Sequence, residues 1–259
     1  MEPLRVSVLE QPLVEVVDDE PLLRERVLET AIAPIDRLIG GLRSGEVTLF
    51  ESDNSYSSSL LHLLCVKAVA EFDEEVVWID GGNAVDPYAM SSLCKRLRLD
   101  KREVLSRINI SRAFTAYQLV SLIDERLGEQ VGKCAPAMVI VSSATDLFLD
   151  KDMKWTESYQ LLRRCADAIS SVTESSESIT VVTAYTPGHV IPDQKMTSAL
   201  CEISDKVIQI STKRSGLVFR MPKDGRQMLF TPTPWNQTTL DEFRGDEHGT
   251  HGAYIPLGP

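Results

Sequence analysis

Long apolar runs are missing from this chain of 259 residues. No stretch approaches about 18 consecutive apolar residues, so no membrane-spanning helix is expected. The N-terminus, Met1-Glu2-Pro3-Leu4-Arg5, lacks a basic segment leading into an apolar one, so no secretory signal is expected. The five cysteines, Cys65, Cys94, Cys134, Cys165 and Cys201, are odd in number and form no C-x-x-C pair. That usage reads as reduced, mostly buried thiols in a cytoplasmic protein. Histidine is scarce as well: His62, His189, His248 and His251 are the whole set, none follows a G-x-S-x-G elbow, and no Ser/His/Asp triad can be argued. Positive charge is in deficit, with 27 Lys and Arg against 38 Asp and Glu, a net charge of −11. Such a balance disfavours non-specific binding to polyphosphate backbones and still permits a local basic groove.

Hydrophobic residues make up 43%, enough for a sizeable core and too many for a disordered chain. Residues 1–30 read as an N-terminal arm, acidic over 10–26, with one short helix near 20–29 after the break at Asp18-Asp19-Glu20-Pro21. From 46 to 211 strand and helix patterns alternate. Apolar runs at 46–50, 76–80, 108–112, 137–141, 179–184 and 206–210 predict strands. Helical spacing predicts helices over 57–72, 87–97, 116–127 and 155–172. Gly216–Met221 and Arg226–Phe230 flank Lys223-Asp224-Gly225, a turn signal for a hairpin. The expected domain plan is an arm (1–30), a core (31–230) and an irregular tail (231–259). The fold class is α/β, a mostly parallel central sheet with helices on both faces and a C-terminal β-hairpin. Ligands of such sheets sit at the carboxyl ends of the strands, which points to loops 51–58, 80–86, 142–154 and 185–197.

Four stretches carry a family resemblance. Ile39 to Thr48 (I-G-G-L-R-S-G-E-V-T) resembles the lead-in to the nucleotide-binding strand of RecA-superfamily proteins. Val76-Val77-Trp78-Ile79-Asp80 resembles the strand after their P-loop helix. Arg107 to Gln118 resembles their "I-x-x-A-R-A-F" strand and the helix that follows. Met138 to Phe148 resembles their Walker B strand with its "D-S-x-T-x-L-F" continuation. The pattern is similar to archaeal recombinase paralogues of the RadA/RadB type over roughly 30–212. The resemblance implies a layout without the extra N-terminal helical domain of RadA, closer to RadB. The resemblance implies a RecA-like P-loop fold.

The departures from that family concern chemistry. A P-loop, G-x-x-x-x-G-K-[ST], cradles phosphates with backbone N–H groups, places a Lys on the β/γ-phosphates and a hydroxyl on Mg²⁺. At the matching positions this chain has Ser52-Asp53-Asn54-Ser55-Tyr56-Ser57-Ser58-Ser59. Ser52 and Ser57 replace the glycines, Ser58 replaces the Lys, and Ser59 alone keeps a suitable group. The family's Walker B Asp is matched by Ser142, and its catalytic Glu by Gly82. Each such loss costs on the order of 3 kcal/mol of transition-state stabilisation, by analogy with deleting one preorganised donor. The resemblance therefore implies a pseudo-ATPase with no bound cofactor, ATP and Mg²⁺ being the alternative. Ser52, Ser55, Ser57, Ser58 and Ser59 read either as a loop and helix cap or as a residual anion site.

Other residues offer weaker leads. Arg112, Phe114 and Tyr117 match family positions and read as structural. Trp78 reads as core, and His62 as packed or half-exposed. Trp155 reads as a cap on the core or a contact for a partner. Asp246-Glu247-His248-Gly249-Thr250-His251 offers four ligand side chains without a cysteine nearby and reads as a solvated tail, so no metal site is expected. Lys95, Arg96 and Arg98 form, with Lys101 and Arg102, the densest basic stretch. With Lys195 in loop 185–197 they are the candidate DNA contacts. The function expected from the resemblance is a catalytically inactive RecA/RadB-like scaffold or regulatory partner in DNA recombination and repair. It would bind a protein partner, either a RecA-type paralogue or itself, with weak DNA contact and no membrane. The alternatives are a divergent ATP-binding, DNA-dependent ATPase, a DNA-binding accessory protein, and a KaiC-like regulatory protein.

Overall fold

Strands covered on both faces become continuous apolar runs, because neither face meets water. Val47–Ser52, Val76–Asp80 and Met138–Ser142 are such runs, every residue of each being buried. They lie in the middle of a sheet in the computed structural model, which describes residues 26–52, 56–185, 194–214 and 216–231. In chain order, strand β1 (Val27–Leu28) and helix α1 (Ala33–Ile39) come first, and β2 (Leu42–Arg43) pairs antiparallel with β1. Then follow β3 (Val47–Ser52), α2 (Tyr56–Phe72), β4 (Val76–Asp80), α3 (Pro87–Arg96), α4 (Lys101–Ser106) and β5 (Ile108–Arg112). Helix α5 (Ala116–Val120) continues through a π-helical segment, Ser121–Arg126, into α6 (Leu127–Cys134). The chain proceeds through β6 (Met138–Ser142), α7 (Trp155–Ser176), β7 (Ile179–Tyr185), α8 (Gln194–Ile203), β8 (Lys206–Lys213), β9 (Gly216–Met221) and β10 (Arg226–Phe230).

The main sheet has eight strands in the order β10-β9-β8-β3-β7-β6-β4-β5. The strands from β8 to β5 are all parallel; β9 and β10 add an antiparallel hairpin at one edge. The expected α/β sheet with helices on both faces and a C-terminal hairpin is what forms. One core layer, on the α1–α2–α3 face, gathers Leu60, Leu64, Trp78, Met90 and Phe219. The other, on the α5–α8 face, gathers Leu49, Ile79, Leu119, Leu162 and Leu200.

Local chemistry sets the helix ends. Asp86 caps α3, accepting from the Tyr88 and Ala89 N–H groups, and Pro87 occupies the first turn, where no N–H is needed. Asp100 caps α4 in the same way, and Thr115 caps α5. Gly40 closes α1 at φ 68°, a left-handed conformation suited to glycine.

Several expectations change. The helix expected near 20–29 is not formed at 27–28, where Val27 and Leu28 are a strand held by Leu42 and Arg43; residues 20–25 lie outside the described residues. The helix expected at 116–127 runs on through the π segment to Cys134. Helices α1, α4 and α8 were not expected; α8 takes up most of the second half of loop 185–197. The tail expected over 231–259 lies outside the described residues beyond Thr231, as does the His248–His251 group.

The edge hairpin is fastened by aromatics. Phe219 on β9 packs at 6.0 Å centroid distance on Tyr56, the first residue of α2, and at 6.0 Å on Phe230 of β10. Phe219→Ala should cost about 3–5 kcal/mol in urea unfolding. Hydrogen exchange should then show β9, β10 and the start of α2 opening together, ahead of β4 and β6.

Candidate functional site at the carboxyl end of the sheet

Parallel strands in register bring equivalent positions of neighbouring strands side by side. Asp80, the last residue of β4, lies opposite Ser142 on β6 and opposite Arg112 on β5. Trp78, two residues back on the same face, lies beneath them. A hydrogen-bonded cluster results. Asp80 is fully buried. Its carboxylate accepts from the backbone N–H groups of Gly82 (3.3 Å), Ala84 (2.9 Å) and Val85 (3.2 Å). The Ser142 hydroxyl donates to Asp80 Oδ1 at 2.9 Å, and Arg112 Nε donates to Oδ2 at 3.1 Å. Trp78 Nε1 donates to Ser142 Oγ at 2.9 Å. The Asp80 carbonyl accepts from the Ala113 N–H, and an Arg112 Nη2 hydrogen bond reaches the Val85 carbonyl.

Burial alone pushes the Asp80 carboxyl up. The donors from Ala84, Ser142, Val85 and Gly82 outweigh that effect and hold it below the ordinary carboxylate range. His62 on α2 stands beside this cluster. Its Nε2 accepts from the Asp86 N–H at 2.8 Å, and its ring packs on Trp78 at 5.3 Å. Burial lowers its pKa, against the opposing pull of Asp86, a hydrogen bond with the Ser58 backbone, and Asp80. The imidazole is thus a neutral structural link between α2 and the β4–α3 turn.

The turn after β4 is pressed against the turn after β6. Gly81 N–H donates to the Ser142 carbonyl at 2.9 Å. A Cβ on Gly81 would sit 3.0 Å from the Ser142 carbonyl oxygen. A Cβ on Gly82 would sit 2.2 Å from Ser143 Oγ and 2.4 Å from Ser143 Cβ. Ser143 itself is held at φ 52°, with its N–H donating to Thr183 Oγ1 at 3.0 Å. Position 82 therefore has no room for a glutamate while Ser143 stays in place.

The serines expected around the nucleotide loop are spread over two environments. Ser52 is buried at the end of β3, beside β7 and β8. Ser57, Ser58 and Ser59 are half-buried on the first turn of α2, while Ser55 lies outside the described residues. Strand β7 separates β3 from β6, and Ser52 lies two residues beyond the level of Ser142, which sets the two about 12 Å apart. The donor set does not fit a magnesium ion. Asp80 is saturated by five donors, Ser142 is engaged on both sides, and no group of three His, Cys, Asp or Glu among the described residues could hold a metal.

Of the four candidate DNA contacts, Lys95, Arg96 and Arg98 lie together at the end of α3 and just after it. The chain returns through α3 and α4 from the carboxyl end of β4 to the amino end of β5. Lys95, Arg96 and Arg98 are therefore exposed at the far end of the sheet from Asp80. Lys195 falls at the start of α8, after β7, and its side chain lies outside the described residues, as does His189. Phe114 and Tyr117, read as structural, are surface residues instead, 72% and 57% exposed. Tyr117 donates to Glu157 Oε1 at 2.6 Å, and nearby Trp155 stacks on Tyr159 at 5.3 Å. Trp78 is in the core, as expected. Asp80 and Arg112 are the site residues whose partnership sequence reasoning missed. The signal was present, since Asp at a strand end followed by two glycines is a pattern for a carboxylate gripping its own turn.

Two pH effects follow. Asp80 has a depressed folded pKa, so its stabilisation is complete above about 4 and is lost as pH falls through the folded value. Asp80→Asn should cost about 2 kcal/mol near neutrality, with the gap from the parent closing in acid, measured by urea unfolding against pH. His62 also has a depressed folded pKa but binds its proton more readily when unfolded. Its contribution should fall as pH drops below about 6.5, and His62→Gln should flatten that part of the profile.

A family model, Rad51, matches residues 24–199, more than half of the chain, and covers β1 to β7 and the first part of α8, with the whole Asp80–Ser142–Arg112 cluster. The chain therefore belongs to the Rad51 family, the RecA-type recombinases of DNA recombination and repair.

Proposed function

We propose that this chain is a RadB-like member of its family that does not turn over nucleotide and acts as a scaffold or regulatory partner in recombination and repair. The observation that carries this reading is the Ser142 hydroxyl, fixed between Trp78 Nε1 and Asp80 at the strand end where a metal-orienting carboxylate is called for. Phosphoryl transfer depends on charge neutralisation and positioning rather than on covalent chemistry. Here position 142 carries no charge, position 82 has no room for a base, and the first turn of α2 offers serines in place of a lysine. The working unit is 31–230, flanked by the arm 1–30 and the tail 231–259, and the setting is the cytoplasm. Among the described residues no helix is long and apolar enough to cross a membrane.

A protein partner, either a catalytically competent RecA-type chain or a second copy, is supported by the edge of the sheet, where β5 has no outer neighbour among the described residues. Strand β5 ends the strand order, with Ile110 exposed. Its outer backbone groups are a template for an added strand. Beside it lies a groove of about 430 Å³ lined by Val77, Ile79, Ser111, Leu122, Arg126 and Lys133. A DNA-binding accessory role is the second reading. The exposed rings of Phe114, Tyr117 and Trp155 favour it, since bases stack on such faces. The basic residues at the opposite end of the sheet and the net charge of −11 weigh against it.

Titration of the purified full chain with a fluorescent ATP analogue and Mg²⁺ should give no micromolar binding and no phosphate release; turnover would overturn the reading. Ser111→Arg, which fills the groove mouth and charges the edge, should reduce capture of the recombinase partner at least about tenfold. Its thermal unfolding should shift little, as for most surface substitutions. Undiminished capture would move the interface elsewhere.

A further inference from the structure

Two carboxylates about 3 Å apart cannot both stay ionised without a cation or a shared proton. Ser142 Oγ is 2.9 Å from Asp80 Oδ1. A carboxylate at 142 would make closure of the β4 and β6 turns depend on what neutralises the pair. A serine supplies a neutral donor, and the same oxygen accepts from Trp78 Nε1. The chain itself supplies five donors to Asp80: three backbone N–H groups, one hydroxyl and one guanidinium.

We infer that Ser142 is a built-in latch that keeps the turn after β4 shut without cation or nucleotide, and through Asp80 and Arg112 holds the Phe114–Tyr117 surface in one constitutive arrangement.

The path to that surface is short. Arg112 Nε is held by Asp80, and its Nη2 hydrogen bond reaches the Val85 carbonyl, so the guanidinium spans both ends of the β4 turn. Ala113 N–H donates to the Asp80 carbonyl at 2.9 Å. Phe114 follows directly, and its N–H donates to Gln118 Oε1 at 2.9 Å. Gly81 and Gly82, pressed on Ser142 and Ser143, close the other side. The turn at 80–86 and the surface at 112–118 are therefore parts of one hydrogen-bonded unit. A chain built this way presents the same face whether or not nucleotide is present. This deepens the reading of the chain as a scaffold and rests on it for the meaning of position 142.

The test is amide hydrogen exchange by mass spectrometry on the full chain, following peptides over 80–86 and 111–118 in EDTA, in Mg²⁺, and in Mg²⁺ with ATP. Exchange in both segments should be the same in all three conditions. Ser142→Ala removes one buried donor to a charged acceptor and should speed exchange in both segments about tenfold. Ser142→Asp should speed it further in EDTA. Where Ser142→Asp does not fold, the parent and Ser142→Ala decide the matter. The inference is overturned by ligand-dependent protection in the parent, or by parent-like exchange in both segments of Ser142→Ala. Phosphate release measured in parallel keeps the two readings apart. Turnover with ligand-insensitive exchange would sink the non-catalytic reading and leave the latch standing. Ligand-sensitive exchange without turnover would sink the latch and leave the non-catalytic reading standing.

Discussion

A buried carboxylate has to be satisfied from inside the protein, and at this end of the sheet Asp80 is where that requirement falls. Water cannot reach it, so its charge is sustained by its own turn, a hydroxyl from one neighbouring strand and a guanidinium from the other. Satisfying it fixes several things at once. The Gly81–Gly82 turn has to fold back on the carboxylate, the β6 turn has to approach closely enough for Ser142 to reach, and Arg112, still partly exposed, has to turn its guanidinium onto the carboxylate. Removing one of these partners leaves the others with a buried charge to compensate, which is why the cluster behaves as a unit rather than as a sum of pairs.

The fold itself does not need the groups whose loss is proposed. Its two core layers are built from apolar residues on the strands and on the inward faces of the helices, and neither calls on a P-loop lysine or a catalytic glutamate. Those groups face the ligand in a nucleotide motor, and without ligand they are charges crowded at the ends of buried strands. Replacing an acid by Ser142 removes like-charge repulsion beside Asp80 and adds a hydrogen bond. On the proposed reading, the scaffold and its chemistry could therefore part company without penalty to the core.

How much of this was legible in the sequence depends on the period of the signal. The inner strands stood out because Val-Val-Trp-Ile and Val-Ile-Val have no polar partner to share a face with, and their bounds agree with the structure to within a residue or two. The Asp224-Gly225 turn marked the hairpin for its own reason, a left-handed residue at Gly225 (φ 66°). Short helices were lost even though their signals were there. Helix α1 has a proline in its first turn and a closing glycine. Helix α4 has Asp100 three residues before Glu103. Helix α8 carries Met196, Ala199, Leu200 and Ile203 at helical spacing. The reading of Val27 and Leu28 as helical failed because two residues carry no period; only their pairing with Leu42 and Arg43 makes them a strand. In the site, the places of Ser142 at the end of β6 and of Gly82 just after β4 were readable from the apolar strand pattern. Their partners were not, since register across three strands is set by the whole sheet and not by any local run of residues.

Charge placement completes the picture of what this surface can do. Lys95 and Arg96 end α3 and Arg98 follows it, after the helix has carried the chain away from the strand carboxyl ends, so this basic stretch and the exposed rings of Phe114 and Tyr117 lie at opposite ends of the sheet. A continuous nucleic-acid track needs cations alternating with stacking faces along one path. Here those two ingredients are separated by the length of β4 and β5. Beside the β5 edge lies a mostly polar groove, with Ser111, Arg126, Glu129, Gln130 and Lys133 in its lining; on the proposed reading, the edge backbone groups unpaired among the described residues suit an added strand. On the proposed reading, the geometry of the sheet, more than the overall acidity, favours a protein partner.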